Sequence, residues 1–271
     1  MLYEFRASTL DVQNQVGVFT LNRPDVFNAI NPDIRDDFHD MMALVRNNKS
    51  ISALVLTGAG KGFCAGGDIA DMDNDDNRDP EFKRRKVLNL HLVIENFYNL
   101  EIPVIGAING AAFGAGFSLA LSCDFVLASN KATFCASFQR LGVVPDLGLF
   151  YFLPRLIGQR KAKELMLTAR IIGAEEAYEL GFLHTIHPPE ELLEKAIHMA
   201  SHFAQASRVA TGLTKNLVNQ SLDLNYRAMA ELEANGQAIC AASPYHHQAV
   251  DRFLKKEPIA FDWEKLQKKG G

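Results

Sequence analysis

The longest apolar stretch of the sequence runs from Pro103 to Cys123 and is interrupted by Asn109 and several glycines. Its length would suffice to cross a membrane. However, Asn109 and the glycines at positions 106, 110, 114 and 116 divide it into a strand, a turn and the start of a helix. The stretch therefore predicts a buried part of a soluble fold and argues against a membrane span.

The segments around this stretch alternate between strand and helix patterns. Apolar residues alternate from Gln15 to Asn22, and the short apolar run from Ser52 to Thr57 is typical of a buried strand. Between them, Asn31 and Pro32 predict a helix start. An asparagine side chain can accept a hydrogen bond from a free N–H group of the first turn, and proline has no N–H group that would need a partner there. Pro103 to Ile108 is the next predicted strand. Strands and helices in alternation predict an α/β fold.

The predicted helices differ between the two halves of the chain. Early helices have an apolar face, formed in one by Ile34, Phe38, Met41 and Val45 and in another by Val87, His91, Ile94 and Tyr98. Between these two helices, residues 71–79 are acidic and rich in Asn, which predicts a solvated, mobile loop. Beyond Gly158, helices are predicted at residues 161–168, 174–180, 190–205, 214–221, 224–240 and 246–254. A helical region of that size must pack on the core or on another subunit.

Composition excludes several classes of partner. With 271 residues, 48% of them hydrophobic, the chain can bury a full core, and a net charge of -4 provides no basic field for nucleic acid or an anionic membrane. The four cysteines lie far apart, which indicates neither a zinc site nor a disulfide framework. The N-terminus lacks the basic start and apolar run of a signal peptide. We therefore expect a cytoplasmic protein that binds a small molecule.

Two glycine clusters follow predicted strands, at residues 58–62 and 110–116. The first is not a P-loop, because glycine follows Lys61 where Ser or Thr is required. The second lacks the register of a dinucleotide loop, because Leu119 occupies the last glycine position. One interpretation is that both clusters only form tight turns. The other is that they bring backbone N–H groups to one ligand atom, as in an oxyanion hole.

Two segments that contain these glycines carry a recognisable pattern. Residues 62–69 read Gly-Phe-Cys-Ala-Gly-Gly-Asp-Ile, and residues 103–116 read Pro-Val-Ile-Gly-Ala-Ile-Asn-Gly-Ala-Ala-Phe-Gly-Ala-Gly. Together they resemble the two-part signature of the crotonase superfamily, which includes the enoyl-CoA hydratases and isomerases. Residues 21–24, 123–124, 141–145 and 167–181 are similar as well, so the resemblance covers nearly the whole chain in order.

The resemblance implies an α/β fold, a crotonase-type spiral of ββα units with a C-terminal helical region. Residues 1–200 would form the spiral core, and residues 201–271 would form a helical region for oligomer contacts and CoA binding. The superfamily assembles as homotrimers and often as hexamers, each a dimer of trimers. The resemblance supports the fold more strongly than the reaction, because one scaffold of this kind hosts many chemistries.

The resemblance also implies an acyl-CoA substrate and specific contacts to it. Backbone N–H groups of Gly67 and Ala115 would form the oxyanion hole, Arg23 would contact a phosphate, and the Ala65 backbone would contact adenine. Lys256 matches a lysine that often reaches the CoA 3′-phosphate, frequently across a subunit boundary. Taken alone, a basic side chain such as Arg23 or Lys256 is a solvated surface charge. No separate cofactor is implied, since coenzyme A enters as part of the substrate.

The sequence departs from the hydratases of this superfamily at two positions. Hydratases have two glutamates that hold and deprotonate water, whereas the matching positions here are Ser118 and Phe138. A serine hydroxyl is not basic near neutral pH, and phenylalanine cannot transfer a proton. Hydration by the usual pair of glutamates is therefore not expected.

Asp146 is the acid or base that remains in the matching region, at a position where several isomerases of the superfamily have an aspartate. Its apolar neighbours Val143, Val144, Leu147 and Leu149 would desolvate the carboxylate and raise its pKa toward that of a useful base. The alternative is structural, because an aspartate before an apolar helix can be its N-cap. From the residues alone, both interpretations stay open.

His91 is a second possible catalytic residue. A single histidine on an apolar helix face is usually part of the core. Its position relative to Asp146 and the aromatic Phe138 nevertheless resembles the 4-chlorobenzoyl-CoA dehalogenase branch, in which an aspartate attacks the aromatic ring and a histidine activates water. That branch has tryptophan where this chain has Phe138. The remaining histidines have no acidic or cysteine companions at ligand spacing, so no metal site is predicted.

Three functions are compatible with these observations. The first is isomerisation of an unsaturated acyl-CoA, with Asp146 as the acid/base and the enolate held in the oxyanion hole. The second is substitution or hydrolysis on an acyl- or aroyl-CoA by Asp146 and His91. The third is a non-catalytic CoA-binding scaffold, against which the retention of both glycine loops argues. The sequence does not specify the acyl group.

Overall fold

The computed structural model describes residues 1–72 and 79–268, and within them the strands form two sheets. The larger sheet contains, in spatial order, β1 (Leu2–Glu4), β2 (Ser8–Gln13), β3 (Val16–Leu21), β4 (Ala53–Gly58), β6 (Val104–Ile108), β8 (Phe125–Ser129) and β11 (Thr185–His187). The smaller sheet contains β10 (Ile172–Gly173), β9 (Thr133–Cys135), β7 (Ala111–Phe113) and β5 (Gly62–Cys64).

The helices lie between and after these strands along the chain. They are α1 (Pro32–Asn47), α2 (Ile69–Met72), α3 (Pro80–Tyr98), α4 (Ala115–Leu121), α5 (Leu149–Thr168), α6 (Ala174–Glu179), α7 (Pro189–His202), α8 (Arg208–Gln220), α9 (Tyr226–Ala241), α10 (Pro244–Leu254) and α11 (Trp263–Lys268). In the described part of the chain, none of them combines the length and apolar character needed to cross a membrane.

One supersecondary unit is repeated along the chain. In the pairs β4–β5, β6–β7 and β8–β9, the first strand joins the larger sheet, the second joins the smaller sheet, and a helix follows. Successive first strands are parallel, as are successive second strands. This confirms the predicted α/β spiral of ββα units. Because β4 and β6 are parallel neighbours, the glycine clusters that follow them lie at the same edge of the sheet.

Several local predictions are confirmed. Asn31 caps α1 by accepting a hydrogen bond from the Ile34 N–H at 3.0 Å, and Pro32 is the first residue of the helix. The stretch from Pro103 to Cys123 forms β6, β7 and α4, as its glycines and Asn109 indicated.

Two local predictions need correction. The predicted loop at residues 71–79 begins too early, because Asp71 belongs to α2, while residues 73–78 lie outside the described part. The helix predicted from residue 161 begins much earlier, at Leu149, and is kinked at Gly158. The apolar helix expected after Asp146 and the helix predicted from residue 161 are thus one kinked element.

A core of aromatic rings lies between the larger sheet and helices α1 and α3. Phe38 of α1 packs edge-to-face on Phe19 of β3 and on Phe97 of α3, with ring centroids 5.1 and 5.3 Å apart. Such pairs add about 0.5–1.5 kcal/mol beyond their burial. This packing fixes the orientation of α3 and thereby of His91.

The C-terminal helices are attached to the core through α8. The Nζ atom of Lys215 lies 2.7 Å from the Asp124 carboxylate, and these side chains are only 7% and 18% exposed. Burial raises the pKa of Asp124, and the charge of Lys215 opposes that rise. The predicted division after residue 200 falls near the end of α7, so the C-terminal helices proper begin with α8.

Candidate active site

The two glycine clusters are in direct contact. A Cβ atom on Gly116 would lie only 2.1 Å from the carbonyl oxygen of Cys64, and one on Gly110 would lie 2.0 Å from that of Lys61. Only glycine permits this approach, because any Cβ there would overlap the facing backbone. The glycines therefore bring the loop after β4 against the loop after β6, beyond forming turns.

Two asparagines hold this arrangement together, and the sequence had not singled them out for that role. The buried Asn28 amide donates to the carbonyl oxygens of Ala59, Gly62 and Phe63 at 2.9–3.1 Å. Asn109 accepts a hydrogen bond from the Gly58 N–H at 3.2 Å. Asn28 contacts a loop more than thirty residues away, so the local sequence did not indicate this role. Its φ of 57° lies in the left-handed region, which asparagine adopts more readily than most residues.

The predicted oxyanion-hole residues lie where the two loops meet. A Cβ on Gly66, whose φ is 100°, would be 3.3 Å from the backbone nitrogen of Ala115. Gly67 forms a parallel β-bridge with Ile30, but its own N–H group takes no part in it. The Ile30 N–H donates to the Gly66 carbonyl, and the Asp68 N–H donates to the Ile30 carbonyl. Within the described residues, the N–H groups of Gly67 and Ala115 donate no hydrogen bond. Both are therefore available to a ligand.

Ser118 and Phe138, which stand where the resemblance implies the hydratase glutamates, contact Asp146 and Gly114 respectively. The Ser118 hydroxyl donates to the backbone carbonyl of Asp146 at 2.9 Å, which connects α4 to the loop before α5. Phe138 is buried and its ring approaches Gly114, the residue before Ala115. Asp146 is thus joined to Ser118, whereas Phe138 lies against the residue that precedes α4.

The N-cap interpretation of Asp146 is wrong. Helix α5 begins at Leu149, its N-cap is Gly148, and no side chain caps it. Leu147 and Gly148 both have left-handed φ values, 49° and 87°, which separate Asp146 from the helix. The carboxylate is consequently free of a capping contact.

One oxygen of the Asp146 carboxyl group is buried, although the residue as a whole is only half-buried. Its Oδ1 atom has no hydrogen-bond partner among the described residues. Burial raises the pKa of this carboxyl group above its ordinary value, and the positive charges of His91 and Lys83 oppose the rise. A desolvated carboxylate of this kind is typical of a functional acid or base, because burial without a partner is unfavourable for stability.

His91 belongs to α3 and is half-buried beside this carboxyl group. It lines a cavity of about 370 Å³ together with Gly148 and Phe152. Its ring makes no hydrogen bond within the described residues, so it is not a satisfied core histidine. The structure brings His91 and Asp146 together electrostatically but shows no hydrogen bond between them.

The predicted CoA contacts fall in two places. Arg23 lies beside the glycine loops, where its Nη1 atom donates to the Ala29 carbonyl at 2.7 Å and to Asp68, the neighbour of Gly67, at 2.8 Å. Ala65 is exposed on the same loop. Arg23 and Ala65 are therefore close to the site of Gly67.

Lys256 is separate from that group. It follows α10 with a left-handed φ of 56°, and its N–H donates to the Phe253 carbonyl at 3.1 Å. The Glu257 N–H donates to Arg252 at 2.9 Å, which completes a Schellman motif. No hydrogen bond or ion pair between described residues joins Lys256 to the glycine loops. Among the described residues, no group of three or more His, Cys, Asp or Glu side chains could hold a metal ion.

Comparison with known proteins agrees with the fold and identifies the family. Residues 11–265 match the family Enoyl-CoA hydratase/isomerase. The 1,2-epoxyphenylacetyl-CoA isomerase of Escherichia coli K12 is 34% identical, over 92% of this chain and 96% of its own. The crotonyl-CoA hydratase of Syntrophomonas wolfei is 32% identical over 93% and 96%, and a 4-chlorobenzoyl coenzyme A dehalogenase of an Arthrobacter species is 29% identical over 92% and 91%.

A solved structure supports the same assignment. The enoyl-CoA hydratase/isomerase of Cupriavidus metallidurans CH34 superimposes with a TM-score of 0.91 at 36% identity, over 96% of this chain and 97% of its own. The ββα spiral and these relatives thus define an acyl-CoA enzyme of the crotonase superfamily. The chain belongs to the enoyl-CoA hydratase/isomerase family.

Proposed function

We propose that this protein isomerises an unsaturated acyl-CoA by moving a proton within the acyl group. Asp146 removes the α proton and returns it at C4, so that the double bond moves into conjugation with the thioester. The observation that carries this proposal is the buried Oδ1 atom of Asp146, which has no hydrogen-bond partner among the described residues. The backbone of Asp146 is bonded to Ser118 of α4, the helix that Ala115 opens. A base used for this transfer needs a raised pKa, and burial supplies it.

The free N–H groups of Gly67 and Ala115 would stabilise the enolate that forms after proton removal. Donors fixed before the reaction act on the oxygen where charge develops, and one such donor is worth ~3 kcal/mol of the barrier. Arg23 and Ala65 lie on the same side of the protein, in line with a CoA moiety that extends from this hole. Coenzyme A then enters as part of the substrate, and no separate cofactor is required.

Hydration is not part of the proposal, although some relatives are named hydratases. A hydratase must position and deprotonate a water molecule. The Ser118 hydroxyl instead donates to the Asp146 carbonyl, and Phe138 has no group that can accept or donate a proton. General acid/base help of ~100-fold or more for each missing group is therefore absent.

The first test compares a Δ3-enoyl-CoA with crotonyl-CoA as substrates of the wild-type protein. We expect conversion of the Δ3 compound to its conjugated Δ2 isomer and only slow hydration of crotonyl-CoA, followed by absorbance and product chromatography. Rapid hydration without isomerisation would refute the proposal.

A second candidate uses the same residues differently. Asp146 would attack a halogenated aroyl ring, and His91 would activate the water that releases the ester; the effect of the His91 charge on Asp146 favours this possibility. In that case His91→Ala would accumulate a covalent aspartyl ester from 4-halobenzoyl-CoA, visible by intact-protein mass spectrometry. Under the isomerase proposal we expect neither halide release nor an adduct.

The pH dependence of isomerisation tests the electrostatics of Asp146. We expect kcat/KM to fall on the acid side with an apparent pKa above about 3.9, the ordinary aspartate value, because the base must be ionised and burial raises its pKa. The Lys83 charge opposes that rise, so Lys83→Ala should move the acid limb to higher pH. Arg85→Ala, an exposed neighbour on the same helix, is the matched control and should leave the limb in place.

Lys256 is proposed to contact the 3′-phosphate of CoA. Lys256→Gly should bind CoA about tenfold more weakly, a change of ~1.4 kcal/mol, while its affinity for dephospho-CoA stays the same. Glycine adopts the left-handed φ of residue 256 without strain, which should stabilise the folded protein by about 1 kcal/mol. A loss of CoA affinity in this variant could therefore not be attributed to unfolding. Calorimetry would compare this variant with Lys255→Ala. Equal affinity of the wild type for CoA and dephospho-CoA would exclude the contact.

The C-terminal helices support assembly as a homotrimer or as a hexamer made of two trimers. Ile239 of α9 is 55% exposed, and Phe253 and Leu254 of α10 are 76% and 73% exposed. Exposed apolar side chains on adjacent helices are typical of surfaces that pack on another subunit.

A further inference from the structure

The cavity lined by His91 reaches the loop that carries Asp146. It has a volume of about 370 Å³ and lies between α3, α5 and the end of α8. Gly148, two residues after Asp146, forms part of its wall, and the charge of His91, on the same wall, acts on the Asp146 carboxylate. The cavity therefore borders the loop of the proposed base, two residues from Asp146, and shares His91 with its surroundings.

Three aromatic rings form the apolar wall of this cavity. The ring of Tyr98 lies 5.0 Å from that of Phe152 and 6.4 Å from that of Tyr151, and Tyr151 and Phe152 meet edge-to-face at 5.5 Å. Aromatic rings prefer such inclined arrangements, because the positive edge of one ring faces the negative face of the next. A further ring in the cavity could continue the same packing.

The aromatic wall is held rigidly. The Tyr151 hydroxyl donates to the Asp223 carboxylate at 2.6 Å, and Arg155 donates to the other oxygen of Asp223 at 2.7 Å. The Arg155 guanidinium also lies 3.6 Å from the centre of the Tyr151 ring. Asn219 of α8 donates to the Tyr98 carbonyl at 3.1 Å, which ties the end of α8 to α3. A wall fixed in advance loses little entropy when a ligand binds.

The charges of the cavity select against an acidic ligand. Asp223 is neutralised by Arg155, whereas the Glu95 carboxylate has no ion pair or hydrogen bond within the described residues. A carboxylate repels an acyl group that ends in another carboxylate, and it attracts the positive edge of an aromatic ring. A plain alkyl chain has neither a positive edge for the carboxylate nor a ring face for the aromatic wall.

From these contacts we infer that the cavity binds a neutral aromatic ring at the distal end of the acyl group. The inference rests on the proposed function for the position of the thioester, and it specifies the substrate class: an unsaturated acyl-CoA that carries an aryl group. Tyr98, Tyr151 and Phe152 would contact the ring, with Glu95 at its edge.

The test compares β,γ-unsaturated acyl-CoA substrates that end in a phenyl group, in an alkyl chain with the same number of carbons, or in a carboxylate. We expect kcat/KM for the phenyl substrate to exceed that for the alkyl substrate at least tenfold and that for the acidic substrate by more. Ile94→Phe and Gln220→Trp fill the cavity from the core and from the surface, and each should reduce the phenyl preference at least tenfold. Leu92→Phe, on the exposed side of α3, should preserve it.

Either of two results would overturn the inference: an alkyl substrate used as well as the phenyl one, or a phenyl preference unchanged in both cavity-filling variants. If none of the three substrates is isomerised, the proposed function is refuted, and this result does not bear on the aryl site. Calorimetry with the saturated phenyl and alkyl acyl-CoA compounds then decides the inference separately. Tighter binding of the phenyl compound, lost in Gln220→Trp, supports the cavity as an aryl site, and equal binding excludes it.

Discussion

Asp146→Asn should reduce kcat for isomerisation of a Δ3-enoyl-CoA by about 10²–10⁴-fold, the range that a positioned acid or base contributes. Asparagine has nearly the same shape as aspartate but cannot accept and return the α proton. The bond from Ser118 goes to the backbone carbonyl and is retained in the variant. The loss should therefore appear in kcat, with little change in the affinity for the acyl-CoA.

Stability distinguishes this result from unfolding. Since the buried Oδ1 atom of Asp146 has no hydrogen-bond partner among the described residues, removal of the charge eliminates a desolvation penalty. We expect Tm of Asp146→Asn to equal or exceed that of the wild type. Asp251→Asn, which changes an exposed carboxylate of α10, serves as the control for the substitution itself. A kcat within twofold of wild type in Asp146→Asn would eliminate both proposed mechanisms.

The sequence predicted the fold well where local signals were strong. Asn31 and Pro32 marked the start of α1, and the glycines between Pro103 and Cys123 separated β6, β7 and α4. The position of both glycine clusters directly after strands also raised the interpretation that they converge, and the structure brings them into contact. The ββα repeat itself was not visible, because the topology repeats while the residues do not.

The candidate site was predicted less completely, because its decisive contacts join distant residues. An aspartate before an apolar run matches the N-cap pattern, but the left-handed Leu147 and Gly148 remove Asp146 from the helix, and no local rule anticipates two such residues in sequence. The approach of Lys83 to Asp146 depends on how α3 crosses the loop before α5. Asn28 likewise acts through carbonyl groups on another loop.

The aryl cavity was inaccessible to sequence analysis for the same reason. Tyr98, Tyr151 and Asp223 are far apart along the chain and meet only where α3, α5 and α8 converge. The sequence did place Tyr98 and His91 on one helix face, which the structure shows lining the same cavity. The hydrogen bond from the Tyr151 hydroxyl to Asp223, which holds the aromatic wall of the cavity in place, could not be predicted.

Gly116→Ala should impair both the stability and the activity of the protein, because the contact between the glycine loops leaves no room for a methyl group. The new Cβ atom would lie 2.1 Å from the Cys64 carbonyl oxygen, so the two loops would have to separate. Overpacking of this kind costs about 1–3 kcal/mol of unfolding free energy.

The separation would also move the Ala115 N–H away from Gly67. Loss of one oxyanion-hole donor lowers kcat by about 10²–10³-fold, so we expect a loss of that size in the part of the protein that remains folded. Gly173→Ala is the matched control, since its Cβ would meet no atom within 4 Å and its stability should stay within about 0.5 kcal/mol of wild type. Denaturant unfolding and kcat would be measured on both variants. A Gly116→Ala protein with lowered stability but full kcat would show that the spacing of the two N–H groups is not part of catalysis, because the loops would have moved without a cost to the reaction.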